Sequence, residues 1–339
     1  MIITRSKVDF ATKHKGWRPR PQAMARVLIT GGAGFIGRHC ARRFLKQGWE
    51  VSLFDCAPIE NEDPLVESGC IVHLGDVRDQ QAVGLAMEGC DAVVHLAALV
   101  SVPESIQNPD QTMDINVGGT RNVLAAAQRL GLSHAVFASS AAVYGEQGVL
   151  PILEATALES LSPYGESKII NERDITNARN QGLNAIALRF FNVYGPGQSV
   201  SSGYASLIPL FIDRLIQRQR PTIFGDGLQT RDFIHVDDLA LAIVKLASLS
   251  EPFSFPVSNV ATQTQTSVLD VFEAINHHLV AHHEFPSIEP NYSVARPGDI
   301  MHSFGSSSRL QSLIDWQPQV SLREGLSALI EHQKRSDST

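Results

Sequence analysis

From residue 26 onward, short apolar runs alternate with longer amphipathic stretches. Arg26–Thr30 (RVLIT) is a compact apolar run that stops at a glycine cluster, the pattern of a parallel strand buried on both faces. Residues 34–46 follow with Ile36, Cys40, Phe44 and Leu45 at helical spacing. Further strands are predicted at 50–54, ending at Asp55, and at 70–74, followed by Gly75 and Asp76. Others lie at 92–96 before Ala97 and Ala98, at 134–138 running into Ser139 and Ser140, and at 184–190. The segments between them suit helices, notably 112–129 and Pro163–Asn180. This alternation predicts an α/β fold, a doubly wound parallel sheet with helices on both faces.

After Phe190 the rhythm changes. Gly195-Pro196-Gly197 opens a loop, a helix is predicted over 205–218, and Thr222–Phe224 with 225–227 reads as a strand and a turn. Val236–Ala247 is helical and is expected to rejoin the first domain. Val268–His283 is a further helix, with a strand near 288–294 and a last helix over 322–334. The expected organisation is a dinucleotide-binding domain from 24–191 and 231–261, and a smaller, discontinuous α/β substrate lobe from 192–230 and 262–334. Residues 1–23 stand apart. They carry Arg5, Lys7, Lys13, Lys15, Arg18 and Arg20 against Asp9, and have no apolar segment of the secretory kind. They read as a disordered extension, or as sequence upstream of a start at Met24.

Composition narrows the function classes. With 43% hydrophobic and 19% charged residues, a chain of 339 residues can bury a large core. A net charge of −7 implies no basic face, so nucleic acid is not an expected partner. No apolar run reaches the ~18 residues of a membrane span. Cys40, Cys56, Cys70 and Cys90 are scattered and form no CxxC pair, so they read as reduced thiols. A cytoplasmic protein is expected.

Candidate chemistry begins at Gly31-Gly32-Ala33-Gly34-Phe35-Ile36-Gly37, a GxxGxxG set between a strand and a helix. The first glycine permits a tight turn, the second lets backbone approach a pyrophosphate, and the third brings helix and strand together. The helix N-terminus offers free N–H groups to phosphate. Asp55 ends the next strand about 20 residues on, where a carboxylate accepts hydrogen bonds from a ribose and repels a 2′-phosphate. NAD is therefore expected over NADP, with Arg38 as the contrary hint. A second signal is Tyr164-Gly165-Glu166-Ser167-Lys168, in which tyrosine and lysine share a helix face. A free phenol ionises near pH about 10, and bringing it to neutrality takes about 4 kcal/mol of preferential stabilisation of the phenolate. The Lys168 ammonium and the positive ring of the cofactor are expected to supply it.

The ordered set GGAGFIG (31–37), GDVRD (75–79), HLAA (95–98), NVGGT (116–120), SSAAVYG (139–145), SPYGESK (162–168), RFFNVYGPGQ (189–198), FGDGLQTRDFIHVDD (224–238) and ARPGD (295–299) resembles the extended short-chain dehydrogenase/reductases, and among them the nucleotide-sugar 4-epimerase group. The resemblance runs from Val27 to about Ala328 and implies a Rossmann fold. It also implies Tyr164 as base, Lys168 on the nicotinamide ribose and Ser140 on the reacting hydroxyl. Besides Gly31, Gly34, Phe35, Ile36, Gly37 and Asp55, it places Asp76 and Val77 beside adenine, and Leu96, Ala97, Ala98 and Asn116 along the cofactor. Asn192, Arg231 and Arg296 would hold the substrate's diphosphate, and Asp299 its ribose. The arginines suit this on chemical grounds as well, since a guanidinium binds phosphate in bidentate fashion. Ser303 would face the sugar's C2 substituent, where a small side chain admits an N-acetyl group. Val100 stands where some relatives place a lysine, so that role is not transferred. A homodimer is implied through the helices after Val100 and around Tyr164.

By the same resemblance, dehydratases carry an Asp-Glu pair after the catalytic Ser/Thr, and decarboxylases a glutamate, because elimination and decarboxylation need an extra acid. Ala141-Ala142 provides neither. The expected reaction is therefore C4 epimerisation of UDP-glucose or UDP-N-acetylglucosamine through a 4-keto sugar. The alternatives are a nucleotide-sugar reductase or dehydrogenase with net redox turnover, and a non-catalytic NAD-binding regulatory protein. No metal is expected: His277, His278, His282 and His283 lack an HExxH pattern or a nearby cysteine and read as a solvated helix face. His95 and His235 read as structural.

Overall fold

The computed structural model describes residues 25–198, 206–296 and 298–336. The expected N-terminal extension, Met24, residue 205 at the start of the predicted 205–218 helix, and Pro297 of the ARPGD segment lie outside these residues. Along the chain, β1 (Arg26–Thr30) leads into α1 (Phe35–Lys46), β2 (Glu50–Asp55), α2 (Pro64–Glu67), β3 (Ile71–Leu74), α3 (Gln80–Ala86) and β4 (Ala92–His95). Next come α4 (Val102–Gln107), α5 (Pro109–Met113), a π turn at Asp114–Gly118, α6 (Gly119–Leu130) and β5 (His134–Ser140). A 3-10 turn at Ala141–Val143 precedes α7 (Pro163–Asn180) and β6 (Ala185–Phe190). The second half holds β7 (Asn192–Tyr194), α8 (Leu207–Ile216), β8 (Thr222–Phe224), β9 (Thr230–Arg231), β10 (Phe233–His235), α9 (Val236–Ala247), β11 (Val257–Val260) and β12 (Thr266–Ser267). It closes with α10 (Val268–His283), β13 (Asn291–Ser293), β14 (His302–Ser303), α11 (Ser308–Leu313) and α12 (Leu322–Ser336).

Seven strands make one parallel sheet in the order β11-β6-β5-β4-β1-β2-β3. Alternate residues serve opposite faces. Val27 and Ile29 of β1 join an apolar cluster with Phe44 of α1 and Leu239 of α9, while Leu28 joins Val123 of α6 and Ile175 of α7 beyond the other face. Both faces are thus covered by helices, which makes this a Rossmann-type, doubly wound α/β fold. Strand order reverses between β1 and β4, so the connections leaving their C-terminal ends diverge and open a crevice there.

The predicted 112–129 helix is interrupted. Between α5 and α6 the π turn lodges Asn116, whose side chain bonds both the N–H (2.8 Å) and the carbonyl (3.0 Å) of Leu99. Amphipathic spacing does not register the extra residue of such a turn.

A separate apolar cluster joins Phe211 of α8, Phe272 of α10 and Leu329 of α12. Beside it lie a pair, β8 with β13, and a three-stranded sheet in the order β12-β9-β14. Parallel pairing of β9 with β14 sets Ser303 opposite Arg231. The buried Asp232 carboxylate accepts from the N–H (2.7 Å) and hydroxyl (2.7 Å) of Thr262 and from the N–H groups of Gln263 (3.0 Å) and Gly305 (3.4 Å). It clips together three segments distant in sequence. Among the described residues no helix is long and apolar enough to cross a membrane.

Removing that clip strands buried donors. Asp232→Ala is expected to lower the unfolding free energy by about 2–4 kcal/mol, read as a lower midpoint in urea denaturation.

Candidate active site

The crevice between β1 and β4 widens into a cavity of about 940 Å³. At one end, Gly31 turns the chain with φ +71°, and a Cβ there would lie 2.8 Å from the Ala97 nitrogen. Only glycine lets β1 and β4 leave the sheet this close together. The N-cap of α1 is Gly34, which has no side chain to bond the first N–H groups, and the first turn carries no acid. Those donors and the positive end of the helix face an anion site. Asp55 accepts from the N–H of Ala33 (3.0 Å) and of Ala57 (2.9 Å), which pins the glycine loop with a carboxylate at the cavity wall. Arg38 is engaged by Asp63 at 2.5 Å, so the hint of a 2′-phosphate site is neutralised. Asp76, held below the usual carboxylate range by Arg78, lines the wall with Val77. These features fit a dinucleotide with an unphosphorylated adenosine ribose.

Ser140, Tyr164 and Lys168 line the same cavity. Helix α7 begins sharply because Ser162 caps the Gly165 N–H (3.1 Å) and Pro163 occupies the first turn. It approaches the 3-10 turn so closely that a Cβ on Gly165 would lie 2.7 Å from the Ala142 carbonyl. This contact brings Tyr164 to Ser140 at the end of β5, near enough for the Ser140 hydroxyl to favour the phenolate. Lys168 is 4% exposed and donates to the Ala138 carbonyl at 2.9 Å.

The phenol departs from expectation. Burial pushes Tyr164 up, and the Ser140 hydroxyl offsets this only in part. The Lys168 nitrogen lies 5.8 Å from the ring centroid and is committed to a backbone carbonyl. Lys168 is itself pushed down to about 8 by burial, against the pull of Glu172 one turn further along α7. Ionising Tyr164 therefore calls for a second cation in the cavity, the charge that an oxidised nicotinamide ring carries.

Behind this wall runs a buried polar network. Glu172 receives Arg189 at both oxygens (2.8 and 2.6 Å) and the Ser139 hydroxyl at 2.5 Å. Arg189 also donates to the Tyr144 hydroxyl (2.7 Å), which in turn donates to Asn259 (2.6 Å). The network ties α7 to β5, β6 and β11. His95 is held between Thr30 (2.7 Å) and Thr120 (3.0 Å), and burial pushes it down to about 3, so it stays neutral.

All the expected cofactor residues line the cavity except Asn116, which sits fully buried behind the wall and shapes it through Leu99. Of the expected substrate residues, Asn192, Arg231 and Ser303 line the cavity with Ser140. Arg296 and Asp299 do not. Arg296 is exposed, its guanidinium 3.9 Å from the Phe224 ring centroid, and Asp299 pairs with Arg231 at 2.5 Å. The cavity also takes in Glu104, Gln111, Phe191, Gln198 and Ser206, which sequence reasoning missed. The available signal for Glu104 and Gln111 was position, since they follow the strand beside the switch point.

The chain belongs to the NAD-dependent epimerase/dehydratase family, whose profile matches residues 27–258. A UDP-glucose 4-epimerase of Lactobacillus helveticus is 33% identical over 312 residues, covering 87% of this chain and 92% of that protein. Among solved structures, a UDP-N-acetylglucosamine 4-epimerase from Methanobrevibacter ruminantium M1 in complex with UDP-N-acetylmuramic acid aligns with a TM-score of 0.85 at 31% identity, covering 92% of this chain and 99% of that one. The UDP-glucose 4-epimerase of Thermotoga maritima with UDP-glucose aligns with a TM-score of 0.83 at 29% identity, with the same coverage.

Glu172→Gln keeps the shape of the network but leaves a buried guanidinium without its counter-charge. The variant is expected to lose about 3–5 kcal/mol of stability, and Glu172→Met/Arg189→Met to recover part of it, both read by urea unfolding.

Proposed function

We propose that the protein is an NAD-dependent UDP-sugar 4-epimerase acting on UDP-glucose, UDP-N-acetylglucosamine or both. The observation that carries this reading is a single cavity lined at once by the glycine loop, by Ser140, Tyr164 and Lys168, and by Arg231 and Ser303. Tyr164 takes the proton of the C4 hydroxyl, which Ser140 orients by a hydrogen bond. NAD, when bound, accepts the C4 hydride and returns it to the opposite face of the sugar. Lys168 holds the nicotinamide ribose and keeps positive charge beside the phenolate. Arg231, with Asn192, retains the diphosphate while the 4-keto sugar turns, and Tyr164 then gives its proton back. Ala141 and Ala142 line the cavity next to Ser140 and offer no acid for elimination.

Other parts of the reading rest on different features. Separate apolar clusters support a cofactor domain of 24–191 with 231–261 and a substrate lobe of 192–230 with 262–334, except that Leu310, Ile314 and Trp316 pack into the cofactor domain and Phe233 into the lobe. We assign Asp299 to the nucleotide ribose and Arg296 to the diphosphate once they leave their present partners. Ile106, exposed on α4, and Val102 beside it supply apolar surface for a homodimer through α4, α5 and α7. Four free cysteines support a reducing, cytoplasmic setting.

Purified protein incubated with each nucleotide sugar is expected to invert C4, followed by NMR, without accumulating NADH; net NADH formation would overturn the reading. Tyr164→Phe should lower turnover about 10²–10⁴-fold while retaining NAD. Ser303→Tyr should lower kcat/KM for the N-acetylated substrate at least about tenfold relative to UDP-glucose.

A further inference from the structure

The histidines of α10 do not form a simple solvated face. His277 and His282 are exposed, but His278 and His283 are half-buried and turn towards α12. One donor atom each from His278, His283 and Glu331 lie within 4.8 Å of one another. One of these contacts, His283 Nε2 to Glu331 Oε1, is 3.0 Å. Ligands at about 2.0–2.1 Å around a tetrahedral zinc ion stand about 3.3 Å apart, so one edge of such a polyhedron already has the right length. The His282 ring lies 4.7 Å from that of His278, centroid to centroid, at the helical spacing that lets two imidazoles reach one ion. Two imidazoles and a carboxylate are the donor set that zinc prefers.

We propose that His278, His283 and Glu331, with His282 within reach, form a site for a zinc-class divalent cation that ties α10 to α12. Two cations oppose the site: Arg323 acts on His278, and Lys334 donates to His283 Nδ1 at 2.6 Å. That bond leaves the ring proton on Nε2. Binding moves the proton to Nδ1, frees the Nε2 lone pair for the metal, and turns the Lys334 ammonium away. The site lies in the lobe, on helices that contribute nothing to the lining of the catalytic cavity, so it is independent of the proposed activity.

The test uses the full chain stripped with chelator and titrated with zinc chloride by calorimetry. One ion per chain is expected to bind, with affinity reduced at least about tenfold in His278→Ala/His283→Ala and in Glu331→Gln. Zinc should raise the thermal midpoint of the unmodified protein and not that of the double variant, while circular dichroism shows both folded. His277→Ala should bind as the unmodified protein does, and Lys334→Ala at least as tightly. Absence of saturable uptake, equal affinity in the double variant and in Glu331→Gln, weakening by His277→Ala, or weakening by Lys334→Ala would each overturn the assignment.

Discussion

An ammonium enclosed by protein must be held by something, and in this molecule the cavity is arranged around the one on Lys168. Its nitrogen rests on the Ala138 carbonyl, its charge is opposed by burial, and Glu172 one turn away supports it. Glu172 is in turn buried and neutralised by Arg189, which reaches Tyr144 and through it Asn259. The charge beside Tyr164 thus depends on strands at the middle and the edge of the sheet. Loss of any one charged member leaves another stranded, which makes the network costly to disturb and rigid while intact.

The same packing explains the phenol. α7 meets the turn after β5 at Gly165, close enough to couple Tyr164 to Ser140, but the Lys168 nitrogen stands 5.8 Å from the ring centroid and bonds the Ala138 carbonyl. The protein's own groups therefore leave Tyr164 a weak acid, and the missing positive charge must come from what enters the cavity. If Tyr164 is the base, as proposed, it becomes available as a phenolate only when the positive dinucleotide is in place, which would couple chemistry to cofactor occupancy.

Much of this was legible in the chain. β1, α7, β8, α9 and α10 have the bounds expected from periodicity, because long amphipathic runs and clear caps such as Ser162-Pro163 record local physics. The glycine loop and Asp55 were legible for the same reason. What escaped was non-local. β9, β12 and β14 have two residues each, too few to show a period, yet their pairing places Arg231 beside Ser303. Nothing local announces that Arg231 meets Asp299, that Arg296 lies on Phe224, or that Asn116 serves the wall through Leu99. Likewise the histidines of α10 read as a polar face until α12 brings Glu331 and Lys334 to them.

The Arg231–Asp299 pair has a consequence for how an anion is captured and let go. A guanidinium already matched to a carboxylate is not a bare electrostatic trap; on the proposed reading, a diphosphate arriving there would trade places with Asp299. The entering ligand gains one ion pair as the protein gives one up, so the net electrostatic gain is modest. On departure, the returning carboxylate meets the cation before water must solvate it. A socket built this way would anchor its ligand through one cycle and still release it, because the displaced carboxylate stays at hand.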